Sequence, residues 1–119
     1  MQGYLDKINV GDFSPKWVAR YVKLSNRTHL DYFKDDTCAS HRGVVYCQGA
    51  TLSEVDLVDP DASKLGSRAF DTRVHAFKLV DAVTGKTHFF NAESLSRKKK
   101  WMAAICEAGA GMALSLIHI

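Results

Sequence analysis

Residues 16–24 read KWVARYVKL. The alternation along this run marks a β-strand, because successive side chains of a strand point to opposite faces. Val18, Val22 and Leu24 share a parity and form the face that packs inward. Arg20 has the same parity and sits between Val18 and Val22. A guanidinium on an inward face is tolerated only where that face opens to water or meets an anion. Whatever fold the chain adopts has to supply such an opening.

Six further runs are rich in strand formers: GYLDKIN (3–9), THLDYFK (28–34), RGVVYCQ (42–48), TLSEVDLV (51–58), VHAFKLVD (74–81) and KTHFFNA (86–92). Gly11, Asp12, Ser14 and Pro15 are turn formers that link the first run to KWVARYVKL. AVTG (82–85) is a hairpin turn, with Gly85 placed for positive φ. Residues 59–73 show no clean period and read as a loop. The other links are short, and short links favour antiparallel pairing. From Glu93 to Ala108 the composition turns to helix formers. Leu95, Met102 and Ile105, with Trp101 and Ala108 beside them, form an apolar stripe at helical spacing. Asn91 is the expected cap, Glu93 suits the first turn, and the Arg97–Lys100 run is expected to be a solvated helix face. Seven antiparallel strands and one C-terminal amphipathic helix predict a small, partly open barrel closed at one end by the helix.

The chain has 119 residues, enough for one domain with a core and too few for two. Its net charge of +3 permits an anionic partner without demanding one. Cys38, Cys47 and Cys106 are odd in number and have no CxxC spacing, which argues against both a disulfide framework and zinc. The histidines show no metal-ligand spacing, and no apolar run is long enough to span a bilayer. There is no nucleophile–base pair, no paired carboxylates in a shared setting and no glycine-rich phosphate loop, so the chain reads as a non-enzyme without a cofactor or metal.

The order Gly3-Tyr4-Leu5-Asp6-Lys7, Trp17 to Leu24, Leu30-Asp31-Tyr32-Phe33-Lys34, Arg42-Gly43 and a helical Trp101 resembles the pleckstrin homology (PH) domain family. The resemblance spans residues 3 to about 108 and rests on the order and spacing of these pieces rather than on any one of them. It implies a PH-like seven-stranded antiparallel barrel of two nearly orthogonal sheets, capped by the C-terminal helix. The expected domain is 1–108, with 109–119 a tail outside it. Within that tail LSLIHI resembles a translated sequencing-adapter read-through. The protein is therefore expected to continue into a further domain.

A barrel plugged at one end has a loop-lined mouth at the other. Leu5 and Lys7 share a parity, as do Arg20 and Val22, with the cation of each pair nearer the turn. Lys7 and Arg20 are thus expected to converge in a water-accessible cup. An arginine fork suits a phosphate, with lysine as a point charge beside it. The resemblance implies that this is an inositol phosphate headgroup site, in which Lys7 and Arg20 match the outer basic positions. Tyr32, and Arg42 just before the fourth strand, match further headgroup contacts. Val18 departs from the family pattern, which has a basic residue there. Lys16, of the same parity, is placed to compensate from the rim. Phe13, at the tip of the first loop, is a candidate for dipping into a membrane.

The implied function is a phosphoinositide-binding membrane-recruitment module of a larger signalling protein, cytoplasmic and peripherally membrane-associated. Its expected partners are anionic membrane lipids; a protein partner is possible, nucleic acid is not expected, and the chain is expected to be a monomer. The alternative is a protein-interaction module on the same fold without specific lipid binding. Loss of Lys7 and Arg20 abolishes the first activity and spares the second.

Overall fold

The computed structural model describes residues 1–10, 15–25, 28–66 and 68–112. The turn formers Gly11, Asp12 and Ser14, the loop-tip Phe13 and the LSLIHI segment lie outside the described residues. The strands are β1 (Gln2–Asn9), β2 (Val18–Ser25), β3 (His29–Phe33), β4 (His41–Tyr46), β5 (Thr51–Glu54), β6 (Ala76–Val80), β7 (Thr87–Asn91) and the short β8 (Gly111–Met112). The helices are α1 (Pro60–Ser63) and α2 (Leu95–Glu107).

The strands pair in the order β4-β3-β2-β1-β7-β6-β5-β8. Every pairing is antiparallel except that of β8 with β5. β1 joins the two halves: its residues 2–7 pair with β2 and its residues 6–9 with β7. β4 and β8 are the edges, so the barrel is not closed. Asp81 ties the β4 edge to the turn after β6. One carboxylate oxygen accepts from the Tyr46 N–H at 3.0 Å, and the other accepts from the N–H groups of Val83 (2.7 Å) and Thr84 (3.0 Å). Burial pushes the Asp81 carboxyl up, but the hydrogen bonds from Thr84, Tyr46 and Val83 outweigh it and hold the group below the usual carboxylate range. Gly85, in the same turn, has φ 72°, which a residue with a side chain rarely adopts.

The predicted strand runs hold, most of them trimmed by a residue or two at an end and one cut by half. TLSEVDLV keeps its strand only through Glu54, and Leu57 and Val58 beyond it are exposed. The segment 59–73, read above as a loop, contains α1. Asp59 caps it by accepting from the Asp61 N–H at 3.0 Å, and Pro60 occupies the first turn, where its missing N–H costs nothing. Beyond α2, the Gly111 N–H donates to the Ala50 carbonyl at 2.8 Å, which brings β8 against β5. All three cysteines are free; burial pushes the Cys47 thiol up to about 11.

The core collects the inward face of every long strand: Leu5, Val22, Leu30, Val45, Leu52, Phe77, Leu79 and Phe90. Helix α2 covers it with Trp101, Met102 and Ile105, and Trp101 is fully buried. Three details of the helix differ from the sequence reading. Its cap is Ser94, whose hydroxyl accepts from the Arg97 N–H at 3.2 Å. Asn91 instead ends β7, and its side-chain carbonyl accepts from the His75 N–H. Leu95 falls on the outer face and is 51% exposed, while Lys98, three, four and seven residues before Trp101, Met102 and Ile105, shares their face and is 8% exposed. Lys98 is therefore not part of a solvated run: its ammonium pairs with Glu54 at 2.5 Å. Lys99 and Lys100 are exposed as expected.

The Trp101 ring is the largest fully buried side chain. Trp101→Ala is expected to cost about 3–5 kcal/mol, the usual range for deleting a buried aromatic. Equilibrium denaturation checks this, and an unchanged transition would contradict the assignment of the helix as the barrel's plug.

Candidate anion-binding site

Cross-strand register sets the site. Lys7 lies opposite Val18 in β2 and opposite Phe90 in β7; Leu5 lies opposite Arg20. Lys7 and Arg20 thus occupy the inward face one diagonal step apart. Val22 is paired with Tyr32, and Tyr32 with Gly43, so β3 and β4 continue the same face. Arg42 lies within β4, not before it. The register shifts at Tyr32/Phe33, where His41 and Gly43 are in register with β3 and Arg42 is the extra residue. A bulge of this kind re-aims the side chain it adds. Gly43 is required by close approach: a Cβ there would fall 2.2 Å from the Tyr32 hydroxyl oxygen.

A cavity of about 260 Å³ opens at the end of the barrel away from α2's core contacts. Lys7, Lys16, Arg20, Tyr32 and Arg42 all line it, with Asn9 and Val18. The structure brings the five sequence-predicted residues around one space. Lys16 is exposed at its rim, and Val18, half-buried, supplies an apolar wall where the family pattern has a base. Arg20 donates to the Ala19 carbonyl at 3.2 Å.

Lys7 departs from the sequence reading. It was expected in a water-accessible cup, yet it is only 2% exposed. Its ammonium donates to the Asn9 side-chain carbonyl and lies over the Tyr32 ring, 4.6 Å from the centroid, and near Phe90 at 5.7 Å. The reason is geometric: Tyr32 crosses the side-chain-free Gly43 and roofs the lysine. Aromatic faces attract a cation and partly replace its lost hydration.

Sequence reasoning missed the neighbouring space. A second cavity of about 700 Å³ shares Asn9, Tyr32 and Arg42 with the first and adds Asp61, Thr84, Lys86, Thr87 and His88 among its walls. The available signal was parity: His88 lies opposite Asn9 and two residues before the core Phe90, so it faces inward. Burial, then the charge of Lys7, push the His88 imidazole down to about 3, and Asp81 opposes this without reversing it.

The PH domain profile matches residues 1–110. The chain belongs to the PH domain family. No curated protein matches it in sequence. Among solved structures, this PH domain is similar to that of ArhGAP27 (TM-score 0.71, 19% identity, covering 92% of this chain and 98% of that one). It is also similar to the C-terminal PH domain of pleckstrin in complex with D-myo-Ins(1,2,3,4,5)P5 (TM-score 0.68, 19% identity, covering 92% and 96%). A third is the PH domain of human pleckstrin homology domain-containing protein family A member 5 (TM-score 0.69, 19% identity, covering 97% and 80%). PH domains are generally non-enzymatic modules that often bind phosphoinositides or proteins. Among the described residues, no helix is long and apolar enough to cross a membrane.

His88 makes the stability of this PH domain depend on pH. An unfolded histidine takes up a proton below about 6.5, while folded His88 refuses it until about 3. The unfolded state therefore binds more protons throughout that window, and stability falls as pH falls from 6.5 towards 3. Each unit is worth about 1.4 kcal/mol, so moving from pH 7 to pH 5 is expected to cost the wild type about 2 kcal/mol more than His88→Phe. Denaturant titrations of both proteins at the two pH values measure the difference; identical pH dependence would contradict a neutral, buried His88.

Proposed function

We propose that this PH domain is a phosphoinositide-binding module that recruits a larger signalling protein to the cytoplasmic face of a membrane as a peripheral component, without catalysing a reaction. The observation that carries this reading is the gathering of Lys7, Lys16, Arg20 and Arg42 around one 260 Å³ cavity at the barrel mouth. Cations concentrated at a concave site favour an anionic ligand, and the guanidinium fork matches phosphate geometry. The ligand class carried over is that of the similar pleckstrin domain, which was solved with a polyphosphorylated inositol. Val18 removes one charged contact, so affinity and selectivity are set below those of a PH domain with a base at that position.

The test is a liposome panel comparing each phosphoinositide with phosphatidylserine at fixed salt. Charge-assisted contacts are worth roughly 1.5–3 kcal/mol each, so Arg20→Ala is expected to weaken phosphoinositide binding about tenfold or more. Stability should change little, because removing one cation from a cationic mouth relieves repulsion. Lys99→Ala, on the exposed face of α2, should alter only the salt-dependent part that all anionic liposomes share. If Arg20→Ala leaves binding intact, or the wild type shows no preference over phosphatidylserine, the lipid reading fails and protein interaction on the same fold takes its place.

A further inference from the structure

Helix α2 carries a charge distribution that its own fold does not explain. Arg97, Lys98, Lys99 and Lys100 follow one another through its first two turns, and the first turn holds no acidic residue. Cations near a helix start oppose the macrodipole. Arg97 and Lys100, three residues apart, are also like-charged neighbours on the helix surface. One of the four is neutralised, since Lys98 pairs with Glu54. Arg97 lies against Gly3 of β1, where an added Cβ would meet its guanidinium at 3.0 Å. Arg97, Lys99 and Lys100 form no ion pair with the described residues. The nearest acidic residues along the chain, Glu93 and Glu107, lie outside these two turns.

Lys98 also borders an open groove of about 280 Å³, between the chain leaving β5 and the chain entering β6. The apolar lining is Val55, Leu57, Phe70, Val74 and Ala76. Leu57 is 64% exposed and Val74 is 70% exposed. Leu95, one turn before Lys98 and Lys99, adds a third large apolar side chain in water beside the same concavity. Apolar side chains gathered in water and rimmed by charge mark an interaction surface. The charges that line the groove are taken up internally: Glu54 holds Lys98, while Arg73 pairs with Asp6 at 3.1 Å and lies over the Trp17 ring. The charge left to meet a partner is therefore that of Lys99 and Lys100.

We propose that the outer face of α2 and this groove form one docking surface for an acidic segment of a protein partner. A large apolar side chain of that segment seats in the groove, and its carboxylates meet Lys99 and Lys100. Charge complementarity sets the sign of the partner. The concavity sets its kind, because an apolar groove takes up an anchoring side chain, which a flat membrane surface does not offer. The surface belongs to the end of the barrel covered by α2, so the inference does not depend on what the cationic mouth binds.

Selection of a random dodecapeptide phage library on the intact domain at moderate salt tests it. Enriched peptides should be acidic and carry at least one large apolar residue. Synthetic copies, followed by fluorescence anisotropy, should bind more weakly as salt is raised. Lys99→Glu combined with Lys100→Glu should weaken them about tenfold or more, and Val74→Ser about threefold or more. Arg20→Ala, at the mouth, should leave their affinity unchanged. Glutamate suits the helix start better than lysine, so the double variant should melt no lower than the wild type, which separates lost binding from lost folding. Enrichment of no peptide, or only of peptides without net negative charge, overturns the proposal. Acidic-peptide binding that survives the double substitution, or that disappears in Arg20→Ala, overturns it too. Indifference to Val74→Ser overturns the part given to the groove. Phosphatidylserine vesicles that bind through Lys99 and Lys100 while no peptide is enriched would assign the face to a membrane instead.

Discussion

The arrangement of the barrel mouth depends on one buried charge. Lys7 sits on the inward face of β1, where the next residues of that parity towards the core are apolar. An ammonium removed from water without compensation costs several kcal/mol. Here the Asn9 side chain accepts from it, and the faces of Tyr32 and Phe90 lie against it. Each of these partners imposes something further. Tyr32 can reach the lysine only because Gly43 leaves its path clear, and the bulge that accompanies this pairing turns Arg42 towards the same opening. Phe90 and Asn9 fix β7 against β1, which seats His88 beside the charge. The mouth is thus a cationic surface whose deepest member is stabilised by aromatic rings that leave its charge in place. Such a surface can exist without a ligand and still favour an anion.

The opposite end is held by different forces. Trp101, Met102 and Ile105 seal the core from α2, and the Lys98–Glu54 pair fastens the helix to the end of β5. Asp81 secures the open side by holding β4 to the β6–β7 turn, and the same turn presents Lys86 to the larger cavity. The β6–β7 turn thus serves both: the residues that keep the barrel together also form one wall of the larger cavity.

The fold was legible because alternation and helical spacing depend on local sequence. KWVARYVKL became β2, and the Ala-, Lys- and Met-rich segment became α2. The five candidate site residues also came out of parity and motif, and they line one cavity. What the sequence concealed was set by partners distant along the chain. Lys98 shares the face of Trp101, Met102 and Ile105, and it was read as solvated because the Glu54 carboxylate that makes its burial tolerable lies 44 residues away along the chain. Lys7 was read as solvated because nothing local shows that Tyr32 would roof it. His88 was passed over because histidines were weighed as metal ligands by spacing, whereas its importance lies in its parity with Phe90. The small helix α1 was readable in principle, since Asp59-Pro60 is a cap followed by a first-turn proline.

The most direct test of the account is residue-resolved NMR of the intact domain titrated with a soluble inositol polyphosphate. If the cationic mouth is the binding surface, the largest shift changes fall on Lys7, Arg20 and Arg42 and saturate together, while Lys99 and Lys100 on the outer face of α2 stay unperturbed at moderate salt. Changes confined to α2, or no saturable change at the mouth, would contradict it.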